Sequence, residues 1–162
     1  MDFFEVIAKR HSVRKYDSRP VEREVLDALI HAAETAPSSR NCKSSAFMVI
    51  EDKDTLAAIS EMRDFGSAFV KDAPAAIVVL GDESKTDLWV DNCAISATFV
   101  QLAATAMDLG SCWVHVNGRP RSKSDASAGD AETYLKNLLG IKDNMRILCV
   151  IAVGYPETQN EK

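Results

Sequence analysis

The chain has 162 residues, a formal net charge of −5, and 46% hydrophobic against 27% charged residues. That describes one ordinary folded domain over 1–162, able to bury its own core, and it excludes a disordered chain. The acidic balance argues against a nucleic-acid partner, which would select a basic excess. A small anionic ligand stays open, because local charge decides such binding.

The opening MDFFEVIAKRHSVRKY is interrupted by Asp2, Glu5 and Lys9 and lacks the apolar run of a secretion signal. No stretch reaches the roughly 18 apolar residues that a membrane span needs. Cys42, Cys93, Cys112 and Cys149 are widely spaced, with no CxxC pair and no grouped histidine. This fits neither a zinc site nor a disulfide framework, so four reduced thiols in a cytoplasmic protein are expected.

Residues 2–9 read as a short helix capped by Asp2. A basic segment follows, Arg10-His11-Ser12-Val13-Arg14-Lys15-Tyr16. Pro20 introduces a helix over 21–35, with Val25, Leu26, Leu29, Ile30 and Ala33 on one stripe. Pro37 stops it, and Ser38-Ser39-Arg40-Asn41 reads as a loop. A buried strand is predicted at 46–51, helices at 54–62 and 67–72, and a strand at 75–80 bounded by Pro74 and Gly81.

The longest helix candidate is 87–109, capped by Gly110. Its many small residues, Ala94, Ser96, Ala97, Ala103, Ala104 and Ala106, predict a central helix or one at a subunit interface. A strand at 112–116, a polar loop at 117–129, a helix at 130–138 and a strand at 147–153 complete the chain. The class is α+β (α/β-like), with helices covering a central sheet.

Three places could carry chemistry. In an extended segment Arg10, Ser12 and Arg14 point the same way, and two guanidiniums with a hydroxyl make a phosphate grip. On spacing alone a solvated basic turn is the commoner reading. Pro37, Ser38, Ser39 and Asn41 could bond a polar ring edge or a sugar alcohol, or simply form a turn. Gly110 and Ser111 would leave room for a flat ligand near the backbone, or simply cap a helix.

Dinucleotide GxGxxG, P-loop, HExxH and GxSxG patterns are absent, and His11, His31 and His115 are scattered. Cys42 beside Lys43 has no visible base partner, so an inert thiol is expected.

Taken in order, these segments resemble the FMN-dependent nitroreductase family along nearly the whole chain. The resemblance rests on Arg10–Tyr16, the Ala36-Pro37-Ser38-Ser39-Arg40-Asn41 loop, and Lys71-Asp72-Ala73-Pro74 before an apolar strand. It continues through the long helix from Asp91, Leu109-Gly110-Ser111-Cys112-Trp113, and Gly140-Ile141 followed by a strand into Gly154-Tyr155-Pro156.

The resemblance implies a mixed sheet flanked by helices and an intertwined homodimer with FMN at the interface. Arg10, Ser12 and Arg14, with His11, would hold the phosphate and ribityl chain. Pro37, Ser38, Ser39 and Asn41 would border the partner's flavin. Gly110 and Ser111 would lie near the ring, and Lys71 would contact it. NADH or NADPH would reduce the flavin, and a nitroarene, quinone or similar flat acceptor would take the electrons by a ping-pong route, with no catalytic side-chain dyad.

Here Cys42-Lys43-Ser44-Ser45 follows where the family's loop commonly continues Gln-Pro-Trp-like, and only Glu157–Lys162 follow Pro156. Lys162 could reach the phosphate as a longer tail does elsewhere, but a frayed terminus is the expected reading; the 117–129 loop, with Arg119 and Arg121, could replace part of that contact or cover the pocket. The competing readings are a flavin-storage or sensor protein, a domain that has lost its ligand, and a flavin reductase or reductive dehalogenase of the same fold.

Overall fold

The computed structural model describes residues 1–157. The helices are α1 Phe3–Lys9, α2 Arg23–Thr35, α3 Lys53–Ser60, α4 Trp89–Ala106 and α5 Ala131–Leu139. The strands are β1 Ser45–Ile50, β2 Ala75–Asp82, β3 Gly110–His115 and β4 Met145–Gly154, in the spatial order β1-β2-β4-β3. All three pairings are antiparallel. The parallel component is a single bridge between Ser12 and Ser111 at the β3 edge.

β2 and β4 are central and buried on both faces, which is why they read as continuous apolar runs rather than alternating ones. Ile77, Val79, Ile151 and Val153 face α2 and α4, where Leu26, Leu29, Cys93, Ala97 and Val100 pack on them. Ala76, Val78, Leu80 and Val150 face the other way, against Leu56 and Ile59 of α3 and Leu135 of α5.

Among the described residues, three of the five helices start at a side-chain cap. Asp2 and Glu5 form a reciprocal capping box on α1, and the carboxylates of Asp52 and Asp130 accept from the first-turn backbones of α3 and α5. The expected helix at 67–72 is a 3-10 turn over Ala68–Asp72.

The end of α4 differs from expectation. Met107 is the cap, Asp108 takes the left-handed conformation (φ 58°), and the Leu109 N–H bonds the Ala104 carbonyl at 2.8 Å. Gly110 is therefore not the cap but the first residue of β3. An aspartate tolerates the left-handed region well enough to end a helix.

At its start α4 lies close on β2. A Cβ on Gly81 of β2 would lie 2.6 Å from Trp89 and 2.9 Å from the Cys93 thiol, so the helix packs almost on the strand. No helix among the described residues is long and apolar enough to cross a membrane. All four cysteines are free thiols; Cys93, Cys112 and Cys149 are buried and Cys42 is half-buried.

Candidate functional site

After Arg10, whose N–H closes α1 on the Val6 carbonyl, the chain runs extended along the β3–β4 edge. Val13 N–H donates to the Ser111 carbonyl at 3.0 Å. The Tyr16 hydroxyl donates to the carbonyls of Val13 (2.6 Å) and Ala152 (3.3 Å), and Tyr16 bridges Pro156. Burial pushes this phenol well above its usual range, so it stays a neutral donor.

Val13 turns inward onto Gly110, where an added Cβ would lie 2.7 Å from the Val13 Cβ. Val13 fills the space that a Cβ on Gly110 would need, and the absence of that Cβ lets the basic segment sit close to β3.

With Val13 packed on Gly110, Ser12 and Arg14 on either side of it face away from β3. His11, Ser12, Val13, Arg14 and Lys15 line an open hollow of about 340 Å³ together with Pro156 and Glu157, and Arg10 is not part of its lining. The Arg14 guanidinium lies 5.9 Å from the ring centre of Phe69. Beneath the hollow, burial raises the Cys112 thiol, while Arg14 and a hydrogen bond with Ser12 oppose that shift. Ser111 is 2% exposed and its hydroxyl has no partner among the described residues.

The Pro37–Asn41 loop is built on Asn92, in the first turn of α4 and 2% exposed. The Asn92 Oδ1 accepts from the Ser39 N–H at 2.8 Å, and its Nδ2 donates to Ser39 Oγ (3.0 Å) and Ser44 Oγ (2.9 Å). Lys43 Nζ reaches back to the carbonyls of Glu34 (3.1 Å) and Ala36 (3.3 Å) at the end of α2.

Arg40, Asn41 and Lys43 all adopt positive φ (49°, 53°, 47°), an uncommon choice for residues with side chains, held here by the Asn92 anchor. The Ser39 hydroxyl, ahead of Ser44 and Asn92, holds the Cys42 thiol below its ordinary range despite some burial. The groups that lower it are loop hydroxyls and the Asn92 amide, with no base among them.

Within one chain these two groups do not meet. Asn92 lies at the start of α4, whereas Gly110 and Val13 lie beyond its end, and an 18-residue helix spans ~27 Å. Between them runs an uncovered apolar face. Phe3, Phe4 and Ile7 of α1 are 63%, 79% and 47% exposed, and Ile95 of α4 is 37% exposed. A hollow of about 410 Å³ beside them is walled by Phe3, Val6, Phe99, Leu102 and Ala106.

Lys71 is exposed and lines a separate hollow with Asp17, Ser18, Lys53 and Asp72. Phe69, two residues earlier, lies beside Arg14. Arg121 is committed elsewhere: its Nη2 donates to the Glu61 carbonyl (3.2 Å) and its guanidinium stacks on Tyr134 (4.0 Å). Arg119 is exposed near His115, whose pKa is lowered by burial, then by Arg119 and Arg63. Lys162 lies outside the described residues. Sequence reasoning missed Asn92 and Phe69; the one signal for Asn92 was an amide among the small apolar residues of the longest helix.

The family model described as "Putative TM nitroreductase" matches residues 2–162. An FMN-dependent nitroreductase from Clostridium difficile R20291 shares the fold with a TM-score of 0.90 at 35% identity, covering 97% of this chain and 89% of the other. A "Putative NADH dehydrogenase/NAD(P)H nitroreductase" of Methanothermobacter thermautotrophicus is 33% identical over 159 residues, 96% of this chain and 78% of that protein. An iodotyrosine deiodinase of Nematostella vectensis is 34% identical over an alignment that covers 99% of this chain and 69% of its own. Sequence, fold and the order of the candidate segments agree: the chain belongs to the nitroreductase family.

Proposed function

We propose that this chain is an FMN-dependent oxidoreductase that passes electrons from NADH or NADPH to a small flat organic acceptor such as a nitroarene or quinone. It works as a homodimer with two composite sites. The observation that carries this reading is the placement of two candidate half-sites at opposite ends of α4, flanking an exposed apolar face. A second copy laid antiparallel on α1 and α4 covers that face and sets the Pro37–Asn41 loop of one chain beside the Arg10–Arg14 segment of the other.

The residues present fit FMN. Arg10 and Arg14 offer forked donors to a phosphate, and the hydroxyl of Ser12 and the N–H of His11 suit phosphate and ribityl oxygens. The buried, unpartnered Ser111 hydroxyl beside them is the kind of group that a bound ligand satisfies. Pro37, Ser38, Ser39 and Asn41 would edge the ring across the interface. When bound, FMN supplies the hydride chemistry, and the chain needs no acid–base dyad of its own.

The protein's part is to hold anionic groups against Arg14, to wall the ring with short hydroxyls and an amide, and to keep water off it through the subunit contact. Donor and acceptor use one pocket in turn, which gives ping-pong kinetics. Reductive dehalogenation is the second reading, favoured by the full-chain similarity to the Nematostella vectensis deiodinase.

The test is an absorption spectrum of the purified protein after addition of FMN and gel filtration, with its sedimentation mass. About one retained FMN per chain in a dimer is expected, followed by steady NAD(P)H consumption with a nitroarene or quinone. A halotyrosine consumed in preference to both selects the second reading. Retained flavin without turnover makes it a storage protein, and a colourless monomer refutes the proposal.

A further inference from the structure

A further hollow lies behind the Pro37–Asn41 loop. It has a volume of about 260 Å³ and sits between the last turn of α2, the start of β1 and the second turn of α4. Its apolar walls are the buried Ala33 and Ala36 and the half-buried ring of Phe47. A cavity of roughly 150 Å³ is enough to hold a benzene ring. The space here therefore takes one flat ring with a substituent.

Its polar walls hold donors to spare. Ser96 is 5% exposed and lines the hollow one turn beyond Asn92, on the same side of α4. Two threonines of that helix return their hydroxyls to the carbonyl one turn back, Thr98 to Ala94 at 2.9 Å and Thr105 to Gln101 at 3.1 Å. The Ser96 hydroxyl makes no hydrogen bond among the described residues. A hydroxyl so buried calls for a partner, and the hollow is where one can enter. Ser38 accepts from the Lys43 backbone N–H at 3.1 Å and keeps its own proton free. Lys43 Nζ gives two of its three N–H groups to the carbonyls of Glu34 and Ala36 and keeps the third. Glu34 lines the hollow as well and carries the opposite charge to Lys43. A carboxylate entering here would gain from the one and lose to the other, whereas a neutral oxygen meets the donors and no like charge.

We infer that this hollow is a binding site for a flat aromatic molecule bearing a neutral oxygen acceptor, such as a ketone, quinone or nitro group: the ring lies against Phe47, and the oxygen takes hydrogen bonds from Ser96, Ser38 and Lys43. The ligand is of the same chemical class as the acceptor proposed above, held behind the loop that borders the flavin in that proposal. This link rests on the FMN reading; the binding itself does not.

The experiment titrates the purified protein, with FMN added, with acetophenone and follows its backbone amide resonances. Toluene, which has the ring without the oxygen, and benzoate, which has the ring with a charge, are the comparisons. Ser96→Ala and Ser45→Trp are the variants, each checked by thermal melt. Saturable shifts are expected at Ser38, Phe47 and Ser96, with toluene and benzoate bound about threefold or more weakly. Ser96→Ala should weaken acetophenone about two- to tenfold, the size of one hydrogen bond. Ser45 lines the same hollow, so the indole of Ser45→Trp takes up the space and should abolish the shifts.

Shifts confined to other parts of the chain would overturn the inference. So would a hollow that holds only water or that a second copy fills, since neither gives shifts at these residues. Toluene or benzoate bound as tightly as acetophenone would overturn the assigned chemistry, as would full affinity in Ser96→Ala; full affinity in Ser45→Trp would overturn the assigned place. A protein that shows the shifts but retains no FMN keeps this site and sinks the functional reading, and one that retains FMN without the shifts does the reverse.

Discussion

Gly110 has no unusual backbone angle, so replacing it with alanine tests packing alone. The new Cβ would lie 2.7 Å from the Val13 Cβ and 2.8 Å from both of its methyl groups, where ordinary contacts begin at 3.4 Å. No rotation of Val13 relieves this, because its Cβ is itself among the clashing atoms. The segment must retreat by roughly 0.7 Å against the Val13–Ser111 and Tyr16–Val13 hydrogen bonds that hold it.

Overpacking of this kind costs about 1–3 kcal/mol, which in a domain of this size lowers the melting temperature by about 2–12 °C. The retreat carries Arg14 with it, and losing one charge-assisted bond of about 1.5–3 kcal/mol weakens FMN about 10- to 100-fold. Calorimetry and flavin titration read the two effects. Val13→Gly in the same chain removes every clashing atom and should restore part of both. A Gly110→Ala protein with wild-type stability and FMN affinity would refute the packing argument, as would a double variant no better than the single.

Tyr16→Phe removes the donor shared by the Val13 and Ala152 carbonyls, and urea titration should show a loss of about 0.5–1.5 kcal/mol together with weaker FMN binding. In the native protein one thiol, Cys42, should react quickly with iodoacetamide. Because its pKa is lowered, the rate should rise with a midpoint below the ~8.5 of a free cysteine, and Asn92→Ala should move that midpoint up. Cys93, pushed up to about 11 by burial, and the buried Cys112 and Cys149 should stay silent until the protein unfolds.

Burial works against ionised Glu132, yet the Arg146 guanidinium and the Ile147 N–H hold its pKa below the ordinary carboxylate value. A depressed folded-state pKa contributes stability that is present above the unfolded value and lost as pH falls through the folded one. Glu132→Gln should therefore be less stable at pH 7 and show a flatter loss on acidification below about pH 4.5, read by melting temperature across pH.

Much of the fold was legible because local rules and tertiary packing agree. Asp2, Asp52 and Asp130 mark helix starts, and the apolar runs at 75–80 and 147–153 mark the two central strands. The strand order was not legible, since two doubly buried strands carry no face pattern to say which neighbour each pairs with. The helix end misled because Asp108 accepted the left-handed turn that glycine usually takes, leaving Gly110 free for a steric role visible only in three dimensions.

Of the site, Arg10–Arg14 and Pro37–Asn41 stood out as polar segments between periodic ones. Phe69 and Asn92 did not. An aromatic in a 3-10 turn and an amide in a helix look like ordinary residues until their partners, 55 and 53 positions away in the sequence, are known.

The distance between the loop on Asn92 and the segment on Gly110 has a genetic consequence. In the proposed dimer, a chain damaged at Arg14 and a chain damaged at Asn92 would each be defective in every site when paired with themselves. Co-expressed, they would form mixed dimers in which both lesions fall in one site and the other site is assembled entirely from intact parts. Two inactive alleles should then restore up to half of the activity of each mixed dimer, whereas two alleles damaged in the same segment should restore none.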